Sequence, residues 1–263
     1  CNNIQMAKKI SLNSAYGAIG NEHFRYYRLA NAEAITLSGQ VSIRWIENKM
    51  NDYLNKLLST EKEDYVIASD TDSIYLNLGP LVDKFLSAKS GDKAAVVSLL
   101  DKICQEKLEP FIERSYQELA SYVSAYDQKM SMKRENIADR GIWTAKKRYI
   151  LNVWDSEGVR YKEPKMKIMG LETARSSTPA YFRDKLYAAF KIIIGKTNDE
   201  LINFINAVRT ETKERPYEEV AFPRGVNNLA KYRHPEEIYS KGTPIAVRGA
   251  LLYNHYVKKH KVE

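Results

Sequence analysis

The sequence predicts an α+β fold, helices packed on an antiparallel sheet, and three observations carry that prediction. Apolar residues recur at helical spacing through the first 58 positions. The period then drops to short β-rich runs, at residues 65–78 and again between 142 and 161. After Gly170 the helical period returns. With 263 residues, 44% of them hydrophobic, the chain can bury a sizeable core. No apolar run approaches the roughly 18 to 20 residues of a membrane-spanning helix. Residues 1–10 lack the long apolar stretch and cleavage site of a secretory signal. Two cysteines, Cys1 and Cys104, make no disulfide scaffold and fit a reducing compartment.

In chain order, residues 3–16 read as a helix with Ile4, Ala7, Ile10 (or Ser11) and Ala15 on an imperfect apolar face and Asn2 or Asn3 as its cap. Gly17 and Gly20 are expected to break it. A longer helix over 29–58 follows, its core stripe running through Ala30, Ala34, Leu37, Val41, Trp45, Met50, Tyr53 and Leu57. Residues 65–68 and 74–78 form a β-hairpin around Ser69-Asp70-Thr71-Asp72-Ser73, which Gly79-Pro80 ends. Residues 81–126 are helical by composition, with Pro110 at a break or in a first turn. Residues 130–152 look extended, 155–158 turn, and Val159-Arg160-Tyr161 pairs back. Helices are expected over 181–194, 199–212 and 245–259. The shift in composition near Gly170 is the best domain boundary.

Charge narrows the partners. Lys plus Arg (41) exceed Asp plus Glu (33) by eight. From Lys129 to Arg175 there are twelve basic and six acidic residues, and from Arg224 to Glu263 eight and three. Positive charge gathered in two segments points to a polyanion.

Three constellations carry chemistry. At the hairpin tip, two-residue turns favour Asn-Gly, Asp-Gly or a leading Gly. This one has Asp70-Thr71-Asp72, whose like charges repel by roughly 1 to 4 kcal/mol. A hard divalent cation such as Mg²⁺ reverses that sign. The competing reading is a solvated acidic turn, against which stand the apolar strands that would fix the carboxylates at the mouth of a buried sheet. On the first helix, Lys9, Asn13 and Tyr16 share a face one turn apart. They offer charge for a phosphate, an amide for a polar edge and a ring for a base; an amphipathic helix with a wet polar face fits equally. Third, Lys146-Lys147-Arg148-Tyr149 lies on an expected strand, so Lys147 and Tyr149 would point together toward a phosphate backbone. A charged edge strand competes here.

Taken together, the three resemble family B DNA polymerases, most closely those of T-even-type bacteriophages. Lys9 to Gly17 is similar to the KxxxNSxYG finger motif, Ser69 to Ser73 to the palm hairpin, and Lys146 to Tyr149 to the KKRY primer-strand motif. Gly170-Leu171-Glu172-Thr173-Ala174-Arg175-Ser176-Ser177-Thr178-Pro179 follows in the matching order. The resemblance implies a second finger helix over 1–21, palm over 22–170 and partial thumb over 171–263. It further implies a DNA-directed DNA polymerase of the infected host's cytoplasm, adding dNMP to a primer 3′-hydroxyl under two Mg²⁺ ions. Asp72 would bridge both metals, with Asp70 supporting. Lys9 would grip the dNTP triphosphate, Asn13 would position it, and Tyr16 would pack beneath the nascent base pair. Lys147 and Tyr149, with Lys146 and Arg148, would hold primer-template DNA. Glu135 would be a carboxylate behind the metals, and Lys165, Lys167 and Arg175 are assigned to phosphates on charge alone.

The family's other metal-binding aspartate sits in a DxxSLYPS-type motif, which this sequence lacks, as it lacks the preceding finger helix. The expectation is therefore a chain inactive alone and completed by an N-terminal polymerase polypeptide or segment, with any sliding-clamp tail also missing. Cys1 in place of Met fits a split-intein junction. Two rival readings are a non-catalytic DNA-binding fragment and a glycosyltransferase with an Asp-x-Asp metal site. Intact Asp72, Lys9 and Tyr16 argue against the first; the finger-like helix and basic strand, which it leaves unexplained, against the second.

Overall fold

The computed structural model describes residues 2–85, 92–232 and 242–260. Cys1, six residues of the 81–126 stretch and part of the basic segment 224–263 lie outside the described residues. The α+β class holds, with its strands in two small sheets. Compactness separates one unit, Cys1–Asp139 with Asn152–Met166, from another, Arg140–Leu151 with Lys167–Glu263. Among the described residues no helix is long and apolar enough to cross a membrane.

The first unit opens with α1 (Asn2–Ile19). It passes through Gly17 instead of stopping there, because glycine adopts helical angles at a cost of only about 1 kcal/mol and no proline intervenes. Gly20 and Asn21 end it, the Arg28 amide closing on the Ile19 carbonyl at 3.1 Å. Helix α2 spans Leu29–Leu58, the bounds expected, and Ser59 closes it in a left-handed conformation. Its buried face differs from the expected stripe. Ile46, Met50 and Leu54 are fully buried, whereas Leu37 and Val41 are more than half exposed and Trp45, Tyr53 and Leu57 only flank the core. A straight helix buries an i, i+4 row, and the stripe drawn through steps of three to five drifts off it.

Hairpin strands β1 (Val66–Asp70) and β2 (Ser73–Leu76) pair antiparallel, Asp70 opposite Ser73. Next come α3 (Gly79–Phe85), with Pro80 inside its first turn, α4 (Lys93–Ile103), and a π-helical turn, Cys104–Leu108. It leads without a break into α5 (Glu109–Tyr122), where Pro110 is the second residue past the π turn. Ile46, Met50 and Leu54 pack with Tyr65, Val66, Leu108, Ile112, Tyr116 and Leu119 into one core. Burying such side chains contributes about 1.5–3 kcal/mol apiece. Cys104 belongs to the same core, where burial pushes its thiol up to about 11, leaving it protonated and unreactive.

Residues 130–135, expected to be extended, belong to no strand. Strands β3 (Asn136–Ala145), β4 (Arg148–Ser156) and β5 (Val159–Met169) form the second sheet in the order β3-β4-β5. Glu157 and Gly158, both at positive φ, make the tight β4–β5 turn. Pro164 is tolerated because β5 is an edge strand.

A charged network absent from the sequence reading ties α4 to this turn. Arg134 bonds Asp155, which is fully buried, and Asp101 at 2.6 Å, while Arg160 reaches Asp101 at 3.3 Å. The Gly158 amide donates to Asp155 at 3.0 Å. Burial acts to raise the Asp101 pKa, but its bonds to Arg134 and Arg160 outweigh it and hold the carboxyl below the usual range.

In the second unit, α6 (Ala180–Gly195) and α7 (Asn198–Glu214) form a helical hairpin, and Thr197 and Glu200 make a capping box at α7. Lys185 pairs with Glu211 at 2.6 Å between them. Helices α8 (Tyr217–Val220) and α9 (Ile245–His260) follow.

The Arg134→Ala substitution leaves buried Asp155 without its main counter-ion. Urea unfolding is expected to show a loss of about 3–5 kcal/mol. Because the folded Asp101 pKa is depressed, its contribution is present above the ordinary carboxylate pKa and disappears as pH falls through the folded value. Asp101→Asn should flatten that acid-side decline in a pH series of unfolding midpoints.

Candidate active site

The hairpin that bears the paired aspartates is held from below by two amides of α2. Asn51 Oδ1 accepts the backbone amides of Tyr65 at 2.8 Å and Val66 at 3.0 Å, and its Nδ2 donates to Asp64 at 2.9 Å. One turn on, Asn55 Oδ1 accepts from the Glu63 amide and the Thr60 hydroxyl, and its Nδ2 donates to the Glu63 carbonyl. Together they fix where β1 begins. Burial then alternates along β1, putting Val66, Ala68 and Asp70 on the inner face.

The turn is shorter than the five-residue tip expected. β1 runs on through Asp70, leaving only Thr71 and Asp72 between the strands. Thr71 has φ +56°, a left-handed conformation that a β-branched residue adopts at a cost of about 1–3 kcal/mol. The Asp72 amide closes on the Asp70 carbonyl at 2.7 Å, and the Ser73 hydroxyl donates to the same oxygen at 3.1 Å. Thr71 Oγ1 donates to Asp70 Oδ1 at 3.1 Å. Asp70 is half-buried and Asp72 exposed. The supporting sheet has two half-buried strands, so the carboxylates do not stand at the mouth of a buried sheet as the sequence suggested.

Among the described residues no three His, Cys, Asp or Glu side chains converge to hold a metal ion, so Asp70 and Asp72 stand as a pair. A pair fits Mg²⁺, which takes one or two carboxylates and fills its octahedron with phosphate oxygens and water. Glu135, just before β3, is exposed, and its carbonyl accepts the Glu157 amide at 2.7 Å.

Lys9, Asn13 and Tyr16 are exposed along α1. Helix α1 joins α2 near Ala32, whose Cβ lies 3.8 Å from the position a Cβ on Gly20 would take. The hairpin is anchored at Asn51, nineteen residues and so about 28 Å farther along α2. One helix therefore carries both groups, at separate points.

The basic motif folds differently from its expected strand. Lys146 and Lys147 form the β3–β4 turn, Lys147 with φ +60°, and the strand resumes at Arg148. Alternation does not apply across a turn, so Lys147 and Tyr149 do not share a strand face. Tyr149 is 6% exposed, its ring 6.2 Å from that of Trp143, while Lys146 and Lys147 are exposed. Gly170, φ +67°, lies so close beneath this turn that a Cβ there would fall 2.1 Å from the Lys147 carbonyl oxygen. Arg148 pairs with Glu172 at 2.9 Å, so two segments singled out separately in the sequence pack together. Arg175, exposed, caps the short 3₁₀ turn Glu172–Ala174. On β5, Lys165 sits 4.2 Å over the Tyr161 ring, and Lys167 is half-buried.

Sequence reasoning missed the positioning residues Asn51 and Asn55. Their one signal was two amides four residues apart, on a helix that also carries Asn31, Gln40 and Asn48.

Residues 1–232 match the family described as DNA polymerase family B. The chain is 41% identical over 262 residues to the DNA-directed DNA polymerase of Escherichia phage RB69 and 38% over 264 residues to that of Enterobacteria phage T4. Each alignment covers 97% of this chain and 29% of the relative, so the chain spans under a third of their length. DNA polymerase 1 of Aeropyrum pernix is 25% identical over 257 residues, 95% of this chain and 21% of that protein.

Two substitutions test the supports of these groups. Asn51→Ala strands the Tyr65 and Val66 amides and should cost about 1–3 kcal/mol in urea unfolding. Gly170→Ala adds both left-handed strain and a clash with backbone, and should cost at least about 1–3 kcal/mol by the same measurement.

Proposed function

The chain belongs to DNA polymerase family B, and we propose that it forms part of a DNA-directed DNA polymerase that adds dNMP to a primer 3′-hydroxyl on a template. The observation that supports this best is the strained Asp70-Thr71-Asp72 turn, within residues matching that family. A β-branched residue at positive φ between two repelling carboxylates is costly for a turn alone and useful for a cation site.

Asp72, exposed at the tip, and Asp70 beside it would hold Mg²⁺. Two such ions, when bound, supply Lewis acidity at the attacking and leaving oxygens. Asp70 and Asp72 would supply one part of the carboxylate set that holds them, and a further carboxylate would come from a polypeptide or segment outside these 263 residues. Lys9 would neutralise the triphosphate of the dNTP, and Asn13 would orient it. Tyr16 would pack under the nascent pair on the minor-groove side, where A·T and G·C differ least. The exposed Lys146–Lys147 turn, with Arg175, Lys165 and Lys167, would meet phosphates of the primer-template duplex. Tyr149, buried against Trp143, would act on the primer by holding that turn in place. The setting would be the cytoplasm of an infected bacterial host.

The test is primer extension by this chain mixed with a polypeptide covering the rest of its relatives' length. Extension should require both. Asp72→Ala should lower it by about a thousandfold or more, the several kcal/mol a metal centre contributes, with duplex affinity nearly unchanged. Lys9→Ala should lower kcat/KM for dNTP by about 10- to 100-fold, as expected for losing one charge-assisted contact. Duplex affinity should fall steeply with salt, at a log–log slope of about −0.9 per phosphate contacted. Salt-independent binding, or extension by this chain alone, would overturn the proposal.

A further inference from the structure

The turn at Lys146–Lys147 and the 3₁₀ turn at Glu172–Ala174 present exposed cations from two segments more than twenty residues apart in sequence. Among the described residues, an ion pair and a glycine join them. Arg148 Nη2 lies 2.9 Å from Glu172 Oε1, each side chain being about 40% exposed (39% and 44%). Gly170, at φ +67°, brings the chain under the Lys147 carbonyl so closely that a side chain there would overlap it, and would also sit 3.2 Å from Arg148 Cγ. Leu171 next to it is buried, and so is Thr178, whose amide donates to the Arg175 carbonyl at 3.2 Å. The Arg175 amide in turn closes on the Glu172 carbonyl at 3.2 Å. Glu172 therefore has two roles in the geometry: its backbone holds Arg175 and its side chain holds Arg148.

We infer that Glu172 is a positioning residue, which through Arg148 locks the Lys146–Lys147 turn to the turn bearing Arg175, so that these cations meet the phosphates of a nucleic-acid duplex as one ridge. Arg148, matched to Glu172, is then a brace and not a phosphate contact. This rests on the nucleic-acid reading above and goes beyond it, because it assigns an acidic side chain a favourable effect on binding a polyanion. Electrostatics alone demand the opposite sign: removing a carboxylate from a basic surface raises its attraction for phosphate.

That conflict of sign makes the experiment decisive. Duplex affinity of the chain is measured by fluorescence anisotropy over a salt series for wild type, Glu172→Gln, Arg148→Gln, the double variant, and the exchanged pair Arg148→Glu with Glu172→Arg. The brace predicts that Glu172→Gln weakens binding by about threefold, the size of a well-aligned exposed pair. Arg148→Gln should weaken it equally, the double variant no further, and the exchanged pair should recover most of the loss. Urea midpoints of the five proteins should shift by no more than this one exposed pair accounts for, separating the effect from general destabilisation. Tighter binding by Glu172→Gln, or a loss confined to Arg148→Gln, overturns the brace while leaving the nucleic-acid reading intact. Wild-type binding that ignores salt overturns that reading itself.

Discussion

Two side-chain amides on one helix set the frame for the candidate catalytic hairpin. Asn51 and Asn55 satisfy backbone groups of Glu63, Tyr65 and Val66 where the chain enters β1. A strand whose first amides are fixed has its register fixed, and a slip of one residue would turn Asp70 to the other face. The hydrophobic core beneath, with Ile46, Met50 and Leu54 meeting Tyr65 and Val66, supplies most of the energy but little direction. The amides supply the direction. Without them the carboxylate turn would still form a hairpin, yet one free to slide on its apolar face.

Seven described non-glycine residues take positive φ, and two of them fall in the acidic and basic motifs. Thr71 and Lys147, neither of them glycine, take positive φ at the tips of the two hairpins that carry the acidic and basic motifs. Gly170 takes the same region beneath the second, where even a methyl group has no room. An ordinary turn relieves such strain by placing Asn or Gly at those positions. Here Thr stands between two aspartates and Lys beside Lys instead.

Much of the fold was legible. The bounds of α2 and of the three long helices after Gly170 follow from periodicity, because amphipathic helices longer than three turns leave a strong repeat. What failed were inferences about which residues face inward. The stripe assigned to α2 included Leu37 and Val41, which are exposed, and left out Ile46 and Leu54, which are buried. Apolar character marks a residue able to be buried; only the neighbouring elements choose which ones are. The basic motif was likewise recognisable as a string, but a two-residue turn at Lys146 and Lys147 interrupts the expected strand and leaves Tyr149 in the core.

The buried Arg134–Asp101–Asp155 network and the Arg148–Glu172 pair left no mark in the sequence, since each joins residues more than twenty positions apart whose types are common. The linear sequence determined the class of fold, the family, and the chemical identity of the acidic turn, the lysine-bearing helix and the basic segment. These depend on local spacing, and local spacing is written directly in the order of residues. The tertiary structure alone decided which charges are paired, which are exposed, and that Gly170 lies under Lys147. Those outcomes depend on distances through space, set when the chain folds back and each buried polar group must find a partner.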